Sequence, residues 1–234
     1  MSEILPIKRS KAQARRFYDR ISGIYDILTA SEKSLVSTGL DLLAIQPGEL
    51  VLDIGCGTGS GLQLILESSP PPVLAVGLDL SHEMLLKSQK KNNVAQLKPF
   101  HIQGDGINLP FPKADFDAVF MSFTLELFSE ADISAVLGEC RRVLKTNGRL
   151  GVVSLADARR SLPLWLYKVA HRMFPVAVDC RPIPLVDLLH SHGFEVKTAI
   201  KKRNWGLPIY LTLSGKQVIK DDQLTKKKNL INNA

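Results

Sequence analysis

The chain alternates short, wholly apolar runs with stretches that are apolar on one side only. Leu50 to Ile54 is Leu, Val and Ile around a single acid, the composition of a strand buried on both faces. Val73 to Asp79, Phe100 to Gln103, Phe116 to Met121 and Arg149 to Ser154 read the same way. Between them lie helical segments: about Gly61 to Glu67 after a glycine-rich turn, a helix capped by Ser81 with Met84 and Leu85 on its apolar side, and Ile133 to Leu144, ending near Asn147-Gly148. Pro70-Pro71-Pro72 separates the first of these helices from the second strand. This β-α alternation predicts a parallel sheet with right-handed crossovers and helices on both faces, binding its ligand at the carboxyl ends of the strands.

After Ser154 the rhythm changes. The segment Ser161 to Phe174 sets Leu162, Trp165, Leu166, Val169 and Met173 along one helical face. A proline-bearing turn, Cys180-Arg181-Pro182-Ile183-Pro184, leads into a helix through about His190. Phe194 to Ile200 and Leu207 to Ser214 then read as an antiparallel pair around Asn204 to Gly206. From Lys216 onward the chain is polar and expected to be loose.

Composition narrows the class. At 234 residues and 45% hydrophobic, one core is expected. No apolar run reaches the roughly 20 residues of a membrane span, and Met1 to Ser10 is polar and basic, so the expectation is a soluble, cytoplasmic protein. Cys56, Cys140 and Cys180 show no CxxC spacing, which suggests neither a disulfide framework nor a zinc site, and no metal is expected. The net charge of +7 gathers at Lys8 to Arg20, Lys197 to Arg203 and Lys226 to Lys228. A solubilising surface explains such clusters, and contact with an anionic membrane or nucleic acid remains open.

The sharpest motif is Val51 to Gly61, VLDIGCGTGSG. Dinucleotide binders space their glycines G-x-G-x-x-G, and here neither Gly55 nor Gly57 has a glycine five places on; no Gly-Lys-Ser/Thr follows either. What remains is a backbone cleared of Cβ atoms, on which a flat or zwitterionic ligand can lie. Asp79, at the end of the second strand, can accept from both hydroxyls of a ribose. Asp105, at the end of the third, can accept from an exocyclic amine such as that of adenine. Asp53 precedes the glycines, where an acid suits a cationic ligand better than a phosphate.

These residues resemble a class I S-adenosylmethionine-dependent methyltransferase. VLDIGCGTG resembles that superfamily's glycine motif, VGLDL (76–80) its ribose acid, GDGINLPFPKADFDAVF (104–120) its adenine acid and fourth strand, and RRVLKTNGRL (141–150) its RVLKPGG-like segment. Thr146-Asn147-Gly148 departs from the usual Lys-Pro-Gly-Gly only as a turn variation. The resemblance implies an α/β fold with a Rossmann-like seven-stranded sheet, order 3-2-1-4-5-7-6, last strand antiparallel, and S-adenosylmethionine as cofactor. Carried over by position, Gly55, Gly57 and Gly59 would face the methionine moiety, with Asp53 near its amino group. Asp79 would hold the ribose, Leu80 and Met84 would pack on adenine, and Asp105 and Gly106 would read its edge. Ser122 would border the methionine end.

The segment Arg16 to Asp26 resembles the N-terminal YD segment of the ubiquinone/menaquinone C-methyltransferase-like branch. That implies a helical lid over 1–45, with Tyr18 and Tyr25 as lid contacts, a methyltransferase domain over 46–215 with a substrate-side insert at about 157–192, and a flexible tail over 216–234. It also implies a small, lipophilic acceptor, a quinol or lipid-like molecule. Methyl transfer from a sulfonium is an in-line displacement that needs positioning and exclusion of water. A base helps if a hydroxyl must lose its proton. The candidate catalytic residues are Glu126, just past the fourth strand, and His171, with Asp179, Cys180 and Arg181 nearby. The apolar face of Leu162 to Phe174 covers a pocket or lies on a bilayer. An RNA- or protein-directed methyltransferase, or a non-catalytic relative, is the alternative. Against RNA stand sparse aromatics, 6%, and the absence of an amine-positioning motif at Met121-Ser122-Phe123-Thr124.

Overall fold

In the computed structural model, which describes residues 9–69, 71–93, 97–157, 163, 164, 167, 169 and 180–217, seven strands form one sheet. They are β1 (Leu50–Ile54), β2 (Leu74–Asp79), β3 (Phe100–Gln103), β4 (Phe116–Ser122), β5 (Leu144–Leu155), β6 (Phe194–Asn204) and β7 (Leu207–Lys216). Their order is β3-β2-β1-β4-β5-β7-β6, parallel from β3 to β5, with β7 antiparallel to both neighbours. This is the expected Rossmann-like arrangement. The order in which strands are added reverses between β1 and β4, where the carboxyl edge opens a crevice.

Each face of the sheet carries its own core, because strands covered on both sides send alternate apolar residues into two layers. Leu52, Ile54, Leu78 and Met121 pack with Ile133, Val136 and Leu137 of α6 (Glu130–Val143). On that face they also meet Leu185 and Leu189 of α7 (Leu185–Ser191). Val51, Ala75, Ala118 and Phe120 pack with α3 (Lys33–Leu43) and α4 (Ser60–Leu66) on the other face. Arg149 ties the end of α3 to β5: it donates to Leu43 O at 2.8 Å and grips both oxygens of Glu49 at 2.8 and 2.7 Å. The helix α5 (His82–Asn92) starts on its expected cap, Ser81, whose hydroxyl accepts from Met84 N.

Two boundaries differ from the sequence expectation. The helix over 133–144 stops at Val143 rather than running to Asn147-Gly148. Ala114 and Asp115 N–H take the carbonyls of Arg142 and Val143, and Leu144, fully buried, already pairs with Phe116. Lys145 to Gly148 then bulge out before Arg149 pairs with Ala118. The final hairpin is also longer than expected, reaching Asn204 and closing on a two-residue turn. Its residues Trp205 and Gly206 have φ of 51° and 76°. That is the geometry Asn-Gly usually supplies, and a non-glycine residue there is strained by roughly 1 kcal/mol.

Ahead of the sheet, α1 (Lys11–Ile21) and α2 (Tyr25–Leu28) lie over the crevice. Ser10 caps α1 through a capping box with Gln13. No residue of α1 is buried; polar contacts of Lys11 and Asp19 and the ring contact of Tyr18 with Tyr25 hold it in place. The helix α3 differs: Leu35, Val36, Leu40 and Leu43 belong to the core, and the covering segment ends at α2.

Candidate active site

The carboxyl ends of β1, β2, β3 and β4 surround a cavity of about 210 Å³ roofed by α1 and α2. Its floor is the turn after β1. Gly55, Gly57 and Gly59 all have positive φ, 72°, 53° and 80°, which only glycine adopts without strain. Gly55 and Cys56 N–H both donate to Leu78 O, at 2.7 and 3.1 Å, locking the turn against β2. A Cβ at Gly55 would collide with Thr124, and one at Gly57 would stand 3.7 Å from the Tyr25 ring. Those two glycines line the cavity. Gly59 does not: a side chain there would strike Ser88 and Asn92, so this glycine lets α4 pack on α5 instead of clearing space for a ligand.

Asp79 stands at the edge of this floor. Its Oδ2 accepts from Gly57 N–H and its Oδ1 from Ser81 N–H, each at 2.8 Å. Each oxygen can accept a further bond, and Asp79 lines the cavity, an arrangement suited to gripping two adjacent hydroxyls. Burial raises its pKa, while the two backbone donors favour the ionised form. Asp53 corrects the sequence expectation: it does not line the cavity but lies beneath the glycine loop, 1% exposed, with Oδ2 2.8 Å from where a Gly61 Cβ would be. Its Oδ1 has no hydrogen-bond partner among the described residues. Burial first and Asp79 second push Asp53 up to about 7. A positive charge resting on the loop would favour both carboxylates ionised, and a phosphate would be repelled.

The far end of the cavity is formed by Leu80, Met84, Asp105 and Gly106, all predicted, together with Leu127 and Phe128. Asp105 is ion-paired with Lys11 of α1 at 2.8 Å, and Lys11 also reaches Asp132 at 3.5 Å. Ser122, Phe123 and Tyr25 line the glycine end, with Tyr18 packed edge-on against Tyr25 at 6.1 Å. Phe123 itself has φ of 50°, a strained conformation held by its N–H donating to Val153 O at 2.8 Å. The sequence left Arg9, Lys11, Thr124 and Asp132 unassigned. The resemblance implied helices there, but a salt bridge such as Lys11–Asp105, between residues so far apart in the chain, has no local signature.

The two predicted catalytic residues fare differently. Glu126 is fully buried and outside the cavity lining. Its Oε1 accepts from Leu155 N–H at 3.0 Å, while Arg181, 1% exposed, donates to the carbonyls of Glu126 and Phe128. The Glu126 carboxylate therefore pins the chain after β4 to β5, and its charge, after that of Glu130, favours the buried Arg181 guanidinium; it stands apart from the cavity lining where a base would meet substrate. Cys180, likewise, accepts at its carbonyl from Tyr167 OH at 2.7 Å. His171, Asp179 and most of the apolar face over 162–174 lie outside the described residues.

Two more contacts join the roof to the floor. Asp26 of α2 accepts from the Thr58 hydroxyl and pairs with Lys91 at 2.9 Å, and Lys91 also donates to Ser60 at 2.8 Å. Asp19 of α1 accepts from Ser81 Oγ at 2.6 Å. A cleared glycine turn, a two-oxygen acid suited to adjacent hydroxyls, an apolar slot beside a second acid, and a buried acid beneath the loop that disfavours a phosphate there define a class: a Rossmann-like enzyme built around an adenosine cofactor without phosphates.

Comparison with known proteins narrows this further. Residues 51–148 match the family model described as a methyltransferase domain. The chain is 37% identical to the demethylmenaquinone methyltransferase of Thermotoga maritima, over 80% of this chain and 90% of that one. It is 31% identical to the nocamycin O-methyltransferase of Saccharothrix syringae, over 78% of this chain and 67% of the other. Magnesium protoporphyrin IX methyltransferase from Synechocystis, solved with S-adenosylhomocysteine, shares the fold with a TM-score of 0.68 at 19% identity, over 88% of this chain and 99% of that one. The chain belongs to the class I S-adenosylmethionine-dependent methyltransferases, in the ubiquinone/menaquinone C-methyltransferase-like branch. S-adenosylmethionine is its cofactor.

Proposed function

We propose that this methyltransferase acts on a lipophilic quinol, methylating a ring carbon. The observation that carries the reading is the similarity to demethylmenaquinone methyltransferase, which extends over 90% of that relative and so takes in more than the cofactor half. The aromatic rim of Tyr18, Tyr25 and Phe123 at the glycine end of the cavity is consistent with a flat apolar acceptor.

The residues present fit the cofactor. Asp79 would hold the ribose hydroxyls, Leu80 and Met84 the faces of the adenine, and Asp105 and Gly106 its edge. Gly55 and Gly57 would leave room for the methionine tail, with Ser122 at its end. Bound there, the cofactor supplies an electrophilic methyl group on a sulfonium. Asp53 and Asp79 balance that positive charge from below, Asp53 acting across the loop rather than by contact. The roof of α1 and α2, a lid in this reading, excludes water and holds the acceptor in line. Removal of the acceptor's proton we assign to His171, on its imidazole chemistry and its place between β5 and the final hairpin.

The test is incubation of the enzyme with methyl-labelled S-adenosylmethionine and a demethylated quinol, reduced in situ, beside a native lipid and metabolite extract. Label on the quinone ring carbon is expected. Label confined to oxygen, or to protein or RNA fractions, would overturn the assignment.

A further inference from the structure

Six large hydrophobic side chains are exposed among the described residues, and four of them lie on or beside α2 and at the tip of the β6–β7 hairpin. Ile24, Ile27 and Leu28 are 53%, 79% and 60% exposed on and beside α2, and Trp205 is 84% exposed at the tip of the β6–β7 hairpin. The two sites are joined through Ser31: its hydroxyl accepts from Trp205 Nε1 at 3.1 Å and from Asn204 Nδ2 at 3.2 Å. Ser31 follows Leu28 by three residues in the short turn over Ala30–Glu32, so the indole and the α2 side chains belong to one surface. The tryptophan occupies the strained first position of a tight turn, where Asn or Gly would be relaxed. An apolar ring held in a strained backbone and offered to solvent is unexplained by packing.

The charge around this patch is mainly basic, with Glu32 beside Ser31 as the acid of the turn. Lys201, Lys202 and Arg203 are exposed on the same hairpin, Lys33 is exposed at the start of α3, and Arg15, Arg16 and Arg20 are exposed on α1. The neighbouring acids are engaged: Asp26 by Lys91 and Thr58, and Asp19 by Ser81. We propose that Ile24, Ile27, Leu28 and Trp205 form a docking surface for an anionic lipid bilayer, with the basic residues meeting the headgroups and the apolar side chains entering the acyl boundary. On the same helix Tyr25 lines the cofactor cavity. Docking would therefore act on the roof of the site, placing the cavity beside the phase in which apolar molecules dissolve. The inference stands on the surface and does not depend on which acceptor is methylated.

The test uses the full chain with vesicles of phosphatidylglycerol and phosphatidylcholine, or of phosphatidylcholine alone, at low and high salt. The chain has two tryptophans, Trp165 and Trp205, so Trp165→Phe leaves Trp205 as sole reporter. Its emission is expected to shift to the blue on anionic vesicles, and less at high salt. The double variant Ile27→Glu/Leu28→Glu should lower partitioning about tenfold or more. Trp205→Asn removes the ring while relaxing the turn, so it should also weaken partitioning without loss of fold, read by circular dichroism. Because none of these readouts needs turnover, failure of the quinol assignment leaves them unaffected. Unshifted Trp205 emission, or vesicle binding untouched by both patch variants, would overturn the proposal. So would sedimentation showing that the variants only convert a dimer to monomer, which would make a second copy the occupant.

Discussion

Replacing Asp53 by Asn should make this protein more stable and a poorer binder of its cofactor, with both effects depending on pH. A carboxyl with a folded-state pKa of about 7 instead of 3.8 binds a proton in the folded chain that the unfolded chain has already released. Stability is then fully present below about pH 4 and falls as pH rises to about pH 7, by about 4 kcal/mol at most, at 1.36 kcal/mol for each tenfold change. The figure is a ceiling because Asp53 and Asp79 act on one another. Asn removes that penalty but introduces a buried amide, which offsets roughly 1–2 kcal/mol. Urea melts should therefore find the two proteins nearly equal at about pH 5, and the variant roughly 2–3 kcal/mol more stable at about pH 8.

Binding should move the other way. S-adenosylmethionine carries one more positive charge than S-adenosylhomocysteine, so loss of the buried carboxylate should weaken the first about tenfold more than the second. In the wild type, affinity for S-adenosylmethionine relative to S-adenosylhomocysteine should rise between about pH 5.5 and 7, as Asp53 ionises more readily against a cation. Titration calorimetry at several pH values reads both. A variant that is destabilised at every pH, or that weakens the two ligands equally, would refute the placement of charge beneath the loop.

Other positions give independent tests. Asp79→Ala removes the acceptor for two hydroxyls and should weaken S-adenosylhomocysteine by about a hundredfold or more in calorimetry. Gly55→Ala combines a collision with Thr124 and an unfavourable φ, and should lower stability by roughly 2 kcal/mol or more while abolishing cofactor binding. Arg181→Met should cost roughly 2–5 kcal/mol in thermal or urea unfolding by stranding the carbonyls of Glu126 and Phe128, with Arg181→Lys recovering part of it. If Glu126 were the base, Glu126→Gln would alter the pH–rate profile of a correctly folded enzyme. His171→Asn should lower kcat about a hundredfold and leave affinity for S-adenosylhomocysteine unchanged, as measured by turnover and calorimetry.

The parts of this molecule visible in the sequence are those whose cause is local. Burial on both faces wrote the strands as continuous apolar runs such as Leu50 to Ile54, and a turn that must carry positive φ at Gly55, Gly57 and Gly59 had to be written with glycine. Asp79 was legible because a strand's last residue fixes where a side chain stands. Glu126 was misplaced for the complementary reason: its position after β4 puts it near the site, but its carboxylate is held inward by Leu155 N–H, 29 residues on, a contact with no local signature. Lys145 to Gly148 reads as a helix end because the bulge is made by pairing with β4, which no local pattern records. The same distinction separates the two kinds of glycine in the loop. Gly55 and Gly59 are equally plain in the sequence, yet one makes room for Thr124 at the wall of the cavity and the other for Ser88 and Asn92 behind it. A motif therefore fixes where a ligand lies more firmly than it fixes which of its residues touch that ligand, and the acid under the loop, remote from contact but within reach by charge, shows how large the difference becomes.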